Sequence, residues 1–370
     1  MVFGGRRHLA LAASLIRGEA RPWPSPFDVA AVLAERGRPV CVLASGDPFH
    51  FGVGALLAGR VDPAEMLAVP APSSFSLAAA RLGWPLQDTV QVSLHGRSID
   101  FARPHLQPDA RVLALTSGAD GPAGLAGLLC DAGFSGSRMT VLEALGGERE
   151  RVRTATAAAF DLADIDGLNV VAVVVEADPG ARVIARASGL ADDMFEHDGQ
   201  ITKREIRALT LSALAPRRGE LLWDIGSGSG SVAIEWMLAD PSLRAIAVER
   251  RPDRAARIRR NARAFGVPGL RVIEGEAPAV LQDLEEPDAI FIGGGAAVAL
   301  DAALPRLRSH GRLVVNAVTL QTESMLLVRY ATLGGQLTRI AVSRAGLIGD
   351  SAATAWRPAH PIVQWLWTRP

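Results

Sequence analysis

The chain has 370 residues, more than one ordinary domain core requires, and the length fits two domains of roughly 150 to 200 residues. Lysine plus arginine and aspartate plus glutamate both number 39, so the formal net charge is zero. This balance provides no global field that would draw the protein to nucleic acid or to an anionic membrane. No apolar run reaches the length of a membrane span and no signal peptide is evident, so we expect a cytoplasmic protein.

The first half of the chain alternates strand-like and helix-like patterns, which indicates an α/β domain. Predicted strands cover residues 39–44, 66–69, 90–94, 110–116, 139–142 and 169–176. Predicted helices cover residues 51–57, 73–82 and 122–132. The last of these strands is almost wholly apolar, so we expect it to be buried on both faces.

Residues 178–203 show no clear periodicity and are rich in glycine and acidic residues, a composition typical of a connection between domains. The predicted division is therefore a first domain at residues 1–178, a linker at 179–200 and a second domain at 201–370. In the second domain a helix is predicted at 202–213, and strands begin near Leu221, Ala245, Leu270, Ala289, Leu313 and Gln336. With helices between most of these strands, the pattern predicts a doubly wound parallel sheet.

Residues 221–249 have the pattern of a nucleoside-binding half-fold: a buried strand, a glycine loop, a helix, and an acid that ends the next strand. Gly226, Gly228 and Gly230 permit a tight turn and let the backbone approach a ligand closely. Glu249 lies 19 residues after Gly230, where a carboxylate can accept hydrogen bonds from ribose hydroxyls.

The spacing of this loop bears on the kind of nucleoside. A dinucleotide fingerprint has a third glycine where this chain has Ser231, because glycine there lets the helix pack closely on the strand. Here Asp224 precedes glycines at every second position, with Ser227 and Ser229 between them. This spacing suits the amino-acid end of S-adenosyl-L-methionine, which has no phosphate to cradle, and favours a methyl donor over a dinucleotide. A glycine-rich turn without a ligand is the remaining alternative.

Several motifs occur in a fixed order along the whole chain. Those of the first half are GGRRHL at residues 4–9, SGDP at 45–48, PAPSSF at 70–75, LHGR at 94–97 and LTSG at 115–118. Those of the second half are FEHDGQITKREIR at residues 195–207, the loop at 224–230, GEAP at 275–278, IGGG at 292–295 and NAVTLQTE at 316–323. Through these motifs the chain resembles the precorrin-6Y C5,15-methyltransferase (decarboxylating) family, two-domain enzymes of corrin-ring assembly in cobalamin biosynthesis.

The resemblance implies an α/β fold with an N-terminal tetrapyrrole-methylase-like domain followed by a C-terminal Rossmann-like doubly wound methyltransferase domain. It implies S-adenosyl-L-methionine as methyl donor, a tetrapyrrole substrate, no metal, and a homo-oligomer. The implied reaction methylates precorrin-6Y at C5 and C15 and decarboxylates the C12 acetate, giving precorrin-8X; a cobalt-containing ring is the alternative substrate. Family members begin with a further strand and glycine-rich loop ahead of the segment that starts here at Met1, so we expect the first domain to lack them.

In the second domain the resemblance carries cofactor contacts onto Thr202, residues 226–230, Glu249 and Ala277. From the residues alone, Glu276 or the Ala277 backbone is expected at the next strand end, beside the adenine; a solvated loop acid is the alternative for Glu276. In the first domain the resemblance places three residues near the methyl donor, although their local sequence alone indicates only ordinary turns: Asp47, Ser74 and Ser117.

The acetate and propionate carboxylates of such a ring are expected to bind arginine guanidinium groups, which donate two parallel hydrogen bonds, or backbone amides. Candidate substrate-binding residues are Arg6, Arg7, His8, Lys203, Arg204 and, in the C-terminal loop, Arg344. For His8, a plain surface histidine is the alternative. The arginines between residues 254 and 263 are interpreted as a solvated helix face. For decarboxylation the conjugated ring itself is the electron sink, so the protein need only orient and desolvate the carboxylate. Asn316, near the end of a predicted strand, is the candidate catalytic group; a capping or turn residue is the alternative.

Two other functions use the same features. A nucleic-acid methyltransferase has the same half-fold at residues 224–249 and predicts affinity for tRNA that falls with salt, although the balanced charge argues against it. Alternatively, the first domain is a non-catalytic module for substrate handling or assembly. The preferred interpretation, a tetrapyrrole methyltransferase, has no nucleic-acid or membrane partner.

Overall fold

The computed structural model describes residues 1–347 and 353–370. The chain divides into two compact units. The first unit consists of Met1–Ile99 and Pro108–Ala181, and the second consists of Asp100–Gln107 and Arg182–Pro370. No helix within the described residues is long and apolar enough to cross a membrane.

The first unit contains two sheets. Its strands are β1 (Val2–Gly4), β2 (Ala20–Pro22), β3 (Cys41–Val42), β4 (Thr89–Ser93), β5 (Arg111–Leu115), β6 (Arg138–Glu143), β7 (Arg151–Thr156) and β8 (Asn169–Val174). Its helices are α1 (Arg6–Leu11), α2 (Ala30–Leu33), α3 (Val53–Ala58), α4 (Ser74–Leu82) and α5 (Gly121–Asp131). A small parallel sheet has the order β2-β1-β3, and a mixed sheet has the order β4-β5-β8-β6-β7.

Most predicted elements of this unit are confirmed within a few residues, and β8 is buried along nearly its whole length as expected. The predicted strand at residues 66–69 is wrong. Asp62 caps a short 3-10 helix at Pro63–Glu65, and the chain then runs through Pro70 and Pro72, which have no backbone N–H to donate to a sheet. Leu67 is 90% exposed, so this apolar stretch belongs to the surface.

The second unit is a single seven-stranded sheet with helices on both faces, plus a short hairpin. Its strands are β9 (Leu221–Ile225), β10 (Arg244–Glu249), β11 (Arg271–Glu274), β12 (Ala289–Ile292), β13 (Arg312–Ala317), β14 (Gln336–Ile340), β15 (Ser343–Leu347), β16 (Thr354–Pro358) and β17 (Ile362–Thr368). Its helices are α6 (Arg204–Leu214), α7 (Ser231–Ala239), α8 (Pro252–Ala264), α9 (Ala296–Ala303) and α10 (Leu320–Leu333).

The strand order β11-β10-β9-β12-β13-β17-β14 confirms the doubly wound sheet. Strands β9 to β13 pair in parallel, and the order reverses on either side of β9. In such a sheet ligands bind outside the carboxyl ends of the strands, next to the point of reversal. The loop after β9 lies at that point.

Alternate residues of β9 supply two separate cores, one on each face of the sheet. Leu222 packs with side chains of α6, α7 and α8. Leu221 and Trp223 pack on the other face with side chains of α9 and α10. Because both faces are covered, the central strands are apolar runs without polar alternation.

The sequence did not predict β17, which runs antiparallel between β13 and β14. Its Trp365 is fully buried, and the indole Nε1 donates to the carbonyl oxygen of Gly334 at 3.0 Å. Pairing of β17 with β13 depends on residues about fifty positions away in the chain, which a local pattern does not reveal.

Trp365→Ala is expected to lower the free energy of unfolding by about 3–5 kcal/mol, because it leaves a cavity between β17 and α10. Trp356→Ala is the matched control: Trp356 lies on β16, is 73% exposed, and should cost less than about 0.5 kcal/mol. Urea unfolding followed by circular dichroism measures both. Equal losses for the two variants would contradict the placement of β17 in the core.

Candidate cofactor and substrate sites

The loop between β9 and α7 has a conformation that requires glycine. Gly226, Gly228 and Gly230 have φ of 71°, 62° and 79°, in the left-handed region that side chains disfavour. A Cβ atom at Gly226 would lie 2.7 Å from the carbonyl oxygen of Gly294, and one at Gly230 would lie 2.8 Å from Ile258. The glycines therefore allow this loop to pack against its neighbours while keeping its backbone exposed to a ligand.

Asp224 lies beneath this loop and is almost completely buried. Its Oδ2 accepts hydrogen bonds from the Ser227 hydroxyl at 2.7 Å and from the Ala233 amide at 3.1 Å. Its Oδ1 is buried and has no hydrogen-bond partner among the described residues. Burial raises the pKa of Asp224 to about 6, and the nearby Glu249 carboxylate adds to this rise.

Glu249 ends β10 and lies against the glycine loop. Its Oε2 accepts from the Gly228 amide at 2.9 Å, and its Oε1 accepts from the Arg251 amide at 3.0 Å. Each carboxylate oxygen has a second lone pair, so the group can still accept from a ligand hydroxyl. The structure thus brings the predicted acid and the predicted loop together.

Glu276 and Ala277 follow the neighbouring strand β11. The Gly275 amide donates to the Glu249 carbonyl oxygen at 3.1 Å, which brings the turn after β11 close to the end of β10. The Glu276 side chain is 70% exposed and lies 3.6 Å from Arg250. Ala277 packs against the apolar core under the sheet edge. Both residues therefore border the edge at which Glu249 lies.

Asn261 on α8 joins the glycine loop to the segment at residues 195–202, a role that the local sequence pattern does not predict. Its Nδ2 donates to the carbonyl oxygens of Ser229 at 2.9 Å and Glu196 at 3.0 Å. Its Oδ1 accepts from the Glu196 amide at 2.9 Å. Asn261 is only 2% exposed and lies on the buried face of α8 with Ala262. A polar residue at a position where the helical pattern expects an apolar one is the feature of the sequence that could have identified it.

Thr202 lies in the same segment. A Cβ atom at Gly228 would be 3.4 Å from the Gln200 carbonyl oxygen, so this stretch passes directly over the glycine loop. The Thr202 carbonyl oxygen accepts a hydrogen bond from Arg207, whose guanidinium is completely buried beside Glu235. Thr202 is thereby placed near the loop by its backbone.

The arginines of α8 differ from the expected solvated face. Arg254 and Arg257 both contact the Asp198 carboxylate, at 2.8 Å and 3.4 Å, and their side chains are largely buried. That interpretation is wrong for these two residues, because they attach the segment at residues 195–202 to the helix. Arg260 pairs with Glu196 on a more exposed part of the same face.

The predicted substrate-binding cations of the second unit lie around the start of α6. Lys203 precedes the helix, with its Nζ 4.0 Å from an Asp192 oxygen, and Arg204 is the exposed first residue of the helix. Arg344 lies in strand β15, whereas the sequence predicted a loop. Its ion pair with Glu205 brings β15 to the first turn of α6.

Asn316 lies in β13, so the alternative of a capping or turn residue is wrong. Its Nδ2 donates to the Thr210 hydroxyl at 2.9 Å, and its Oδ1 accepts from Gln364 Nε2 at 2.9 Å. Gln364 is its register partner on β17. The three side chains form a buried polar cluster between α6 and the sheet.

In the first unit, Asp47 and Ser74 lie on adjoining turns. A Cβ atom at Gly46 would be 2.9 Å from the Pro72 carbonyl oxygen, so the turn that carries Asp47 packs against the residues before α4. The Asp47 Oδ1 accepts from the Phe49 amide at 2.8 Å, and Ser74 is the first residue of α4.

Ser117 lies in the turn that follows β5, a strand of the other sheet of this unit. Its hydroxyl accepts from the Gly96 amide at 2.9 Å and donates to the Leu94 carbonyl oxygen at 3.3 Å. These bonds join the turns that follow β4 and β5. No contact in the described residues ties Ser117 to Asp47 or Ser74 directly.

The predicted basic residues at the amino terminus lie on α1. Arg7 and His8 both contact the Ser45 hydroxyl, at 3.0 Å and 2.6 Å, while Arg6 is exposed beside them. Burial, and to a lesser extent Arg7, lowers the pKa of His8. The sequence predicted the basic group and did not predict its contact with Ser45.

Asp224→Asn should change how stability depends on pH. Because the native pKa of Asp224 is about 6, the native state holds this proton more tightly than the unfolded state does. Ionisation of Asp224 therefore lowers the free energy of unfolding as pH rises from about 4 to about 6, by about 3 kcal/mol in total. Urea unfolding measures the free energy of unfolding of both proteins at each pH. The wild-type value minus the Asp224→Asn value should fall as pH rises from about 4 to about 6. A difference that stays constant with pH would contradict the burial of Asp224.

The sequence predicts a methyl-donor site at this loop, and on that prediction Asn261→Ala should weaken binding of S-adenosyl-L-homocysteine about tenfold, because the loop at Ser229 and the segment at Glu196 lose their shared tether. Glu196→Ala is the control, since it keeps the backbone groups that Asn261 contacts and removes only an exposed ion pair. Isothermal titration calorimetry measures both. An unchanged dissociation constant for Asn261→Ala would show that the tether does not preorganise the loop.

Both halves of the chain match known protein families. Residues 18–161 match the tetrapyrrole (corrin/porphyrin) methylases, and residues 193–369 match the precorrin methyltransferase domain. The crystal structure of the C-terminal domain of precorrin-6Y C5,15-methyltransferase from Rhodobacter capsulatus is 47% identical, with a TM-score of 0.48. It covers 50% of this chain and 100% of that domain.

Two curated relatives are similar over the whole chain, and both are named precorrin-6Y C(5,15)-methyltransferase (decarboxylating). The protein from Sinorhizobium sp is 61% identical over 373 residues, covering 100% of this chain and 90% of its own length. The protein from Mycobacterium tuberculosis strain H37Rv is 39% identical over 377 residues, covering 100% of this chain and 93% of its own length. The chain belongs to the precorrin-6Y C5,15-methyltransferase (decarboxylating) family.

Proposed function

We propose that the protein is a methyltransferase that uses S-adenosyl-L-methionine to methylate precorrin-6Y at C5 and C15, decarboxylates the C12 acetate, and yields precorrin-8X. The observation that carries this proposal is the glycine loop flanked by Asp224 and Glu249, in a chain whose full-length relatives bear the name of this activity. The proposed division assigns residues 1–178 to one methylase domain and residues 201–370 to a methyltransferase and decarboxylase domain, with 179–200 as the linker.

The charge around the glycine loop supports a methyl donor as the ligand. Asp224 and Glu249 both direct carboxylates to this loop, and both are buried. Two buried acids repel a pyrophosphate, whereas S-adenosyl-L-methionine carries a positive sulfonium and a positive ammonium group. Coulomb attraction in a partly desolvated site therefore favours the methyl donor over a dinucleotide.

Methyl transfer from a sulfonium requires the donor and the acceptor carbon to be held in line with water excluded. In the proposed site the backbone of residues 226–230 holds the amino-acid end and Glu249 accepts from the ribose. Thr202 and Ala277 border the ligand on either side, with Glu276 at the rim. In the first domain, Asp47, Ser74 and Ser117 form the corresponding proposed set.

The substrate ring is rich in carboxylates, and the basic residues around the start of α6 suit it. Lys203 and Arg204 are charged groups at the surface, and Arg344 is brought to the same helix end by Glu205. In the first domain the proposal assigns carboxylate binding to Arg6 and Arg7. Cations beside a carboxylate-bearing ligand gain charge-assisted hydrogen bonds.

Decarboxylation of the acetate is proposed to depend on Asn316. Its Nδ2 uses one N–H for Thr210, which leaves the second for a carboxylate oxygen. The Gln364 amide fixes the orientation of this group from the neighbouring strand. The proposal also includes the homo-oligomeric, cytoplasmic enzyme that the sequence predicts.

Mass spectrometry of the product tests the reaction. The full chain, incubated with precorrin-6Y and S-adenosyl-L-methionine, should add two methyl groups and remove one carbon dioxide. Addition of one methyl group with decarboxylation would restrict the chemistry to one domain, and no reaction would refute the proposal. A parallel incubation with the cobalt-containing ring compares the two substrates, and salt-dependent binding of tRNA would instead support the nucleic-acid alternative.

Glu249→Gln should raise the dissociation constant for S-adenosyl-L-homocysteine at least about tenfold, because a neutral amide oxygen accepts more weakly from ribose hydroxyls than a carboxylate does. The variant keeps the size of the side chain and an acceptor for the Gly228 amide. Gln336→Ala, on the edge strand β14, is a control that should bind normally. Equal affinity of all three proteins would remove Glu249 from the site.

A further inference from the structure

Three side chains of the first unit converge at the carboxyl edge of its parallel sheet. β1 and β3 are parallel neighbours; α1 follows the first of them and Ser45 follows the second. The His8 Nε2 atom lies 2.6 Å from the Ser45 Oγ, and the Arg7 Nη2 atom lies 3.0 Å from the same oxygen. The carboxyl edge of parallel strands is where α/β sheets bind ligands.

The hydrogen-bond roles in this cluster follow from its chemistry. A guanidinium only donates, so the Ser45 oxygen accepts from Arg7. Arg7 Nη2 also lies 3.3 Å from His8 Nε2 and can only donate to it, so Nε2 is the unprotonated ring nitrogen and the single Ser45 hydrogen is directed at it. Burial and the adjacent Arg7 lower the pKa of His8, in agreement with a neutral ring. His8 Nε2 therefore offers its lone pair to Ser45, while Nδ1, which carries the proton, is buried without a hydrogen-bond partner among the described residues and is not presented to a carboxylate.

Methylation of a conjugated ring carbon that bears hydrogen needs a proton acceptor. The ring π electrons form the new carbon–methyl bond, and the methyl–sulfur bond breaks with its electron pair remaining on sulfur. The ring is left with a positive charge and an sp³ carbon. Loss of the hydrogen from that carbon as a proton returns the C–H electrons to the ring and restores conjugation. Any domain that completes this step must supply a base or admit water for it.

We propose that Ser45 and His8 form the proton-accepting pair for methyl transfer in the first domain, an inference that rests on the proposed function. The Ser45 oxygen takes the proton from the ring carbon while its own hydrogen passes to His8 Nε2. Arg7 positions the hydroxyl and stabilises the negative charge that develops on its oxygen. The imidazolium then returns its proton to solvent, so the cluster is restored after each turnover.

The test uses the full chain and compares the wild type with His8→Gln. Glutamine keeps an acceptor for Ser45 and takes up no proton near neutral pH, so methyl transfer by the first domain should slow about 10²- to 10⁴-fold in kcat. The fall in rate on the acidic side of neutrality, which reports protonation of His8, should disappear in the variant. Ser45→Ala should also lower kcat, whereas Leu11→Ala, an exposed change on the same helix, should leave it unchanged.

The measurements are single-turnover rates across pH, with product methyl groups counted by mass spectrometry and cofactor binding checked by calorimetry. Unchanged affinity and unchanged stoichiometry of S-adenosyl-L-homocysteine binding in His8→Gln show that both domains of the variant are folded. A higher KM with an unchanged kcat and pH profile would overturn the proposal, because it would mean that His8 only binds substrate. If the wild type adds a single methyl group and the site of addition lies with the second domain, the proposed function of the first domain fails and this inference fails with it.

Discussion

The buried ion pair between Arg207 and Glu235 organises the surroundings of the glycine loop at residues 226–230. The guanidinium donates to Glu235 and to the carbonyl oxygens of Leu190 and Thr202, while Glu235 also accepts from the backbone amides of Gly189 and Leu190. A buried charge is tolerated only when it is paired and hydrogen-bonded, and loss of one partner leaves the other uncompensated. The segment at residues 189–202 leads into α6. The ion pair holds its start, at Leu190, and its end, at Thr202, against helices α6 and α7.

Between these two ends, α8 holds the middle of the segment. Arg254 and Arg257 contact Asp198, and Asn261 holds the backbone of Glu196 and of Ser229 at once. The glycine loop is thus restrained from outside by a chain segment that itself has no helix or strand beside the loop. Such a loop needs little rearrangement when it binds a ligand, and preorganisation of this kind contributes to affinity.

Short-range sequence patterns predicted the parts of the molecule whose structure is determined by neighbouring residues in the chain. The apolar runs of β9 to β13 and the glycine spacing after β9 were sufficient for the doubly wound sheet and for placing Glu249 at the loop. What was missed depends on distant partners: β17 is specified by pairing with β13, and Asn261 by contacts 32 and 65 residues away. Residues 66–69 show the converse, because an apolar stretch without a neighbouring strand remains at the surface.

The distribution of charge separates the two ligands that a methyltransferase must bring together. Buried carboxylates at Asp224 and Glu249 suit a cationic donor, and the basic residues at Lys203 and Arg204 suit an anionic ring. If both signs lay in one pocket, they would neutralise each other and discriminate neither ligand. Because the acids lie at the ends of β9 and β10 while the bases lie at the start of α6, the fold keeps them apart on different elements and still places the glycine loop beneath the segment that carries Lys203.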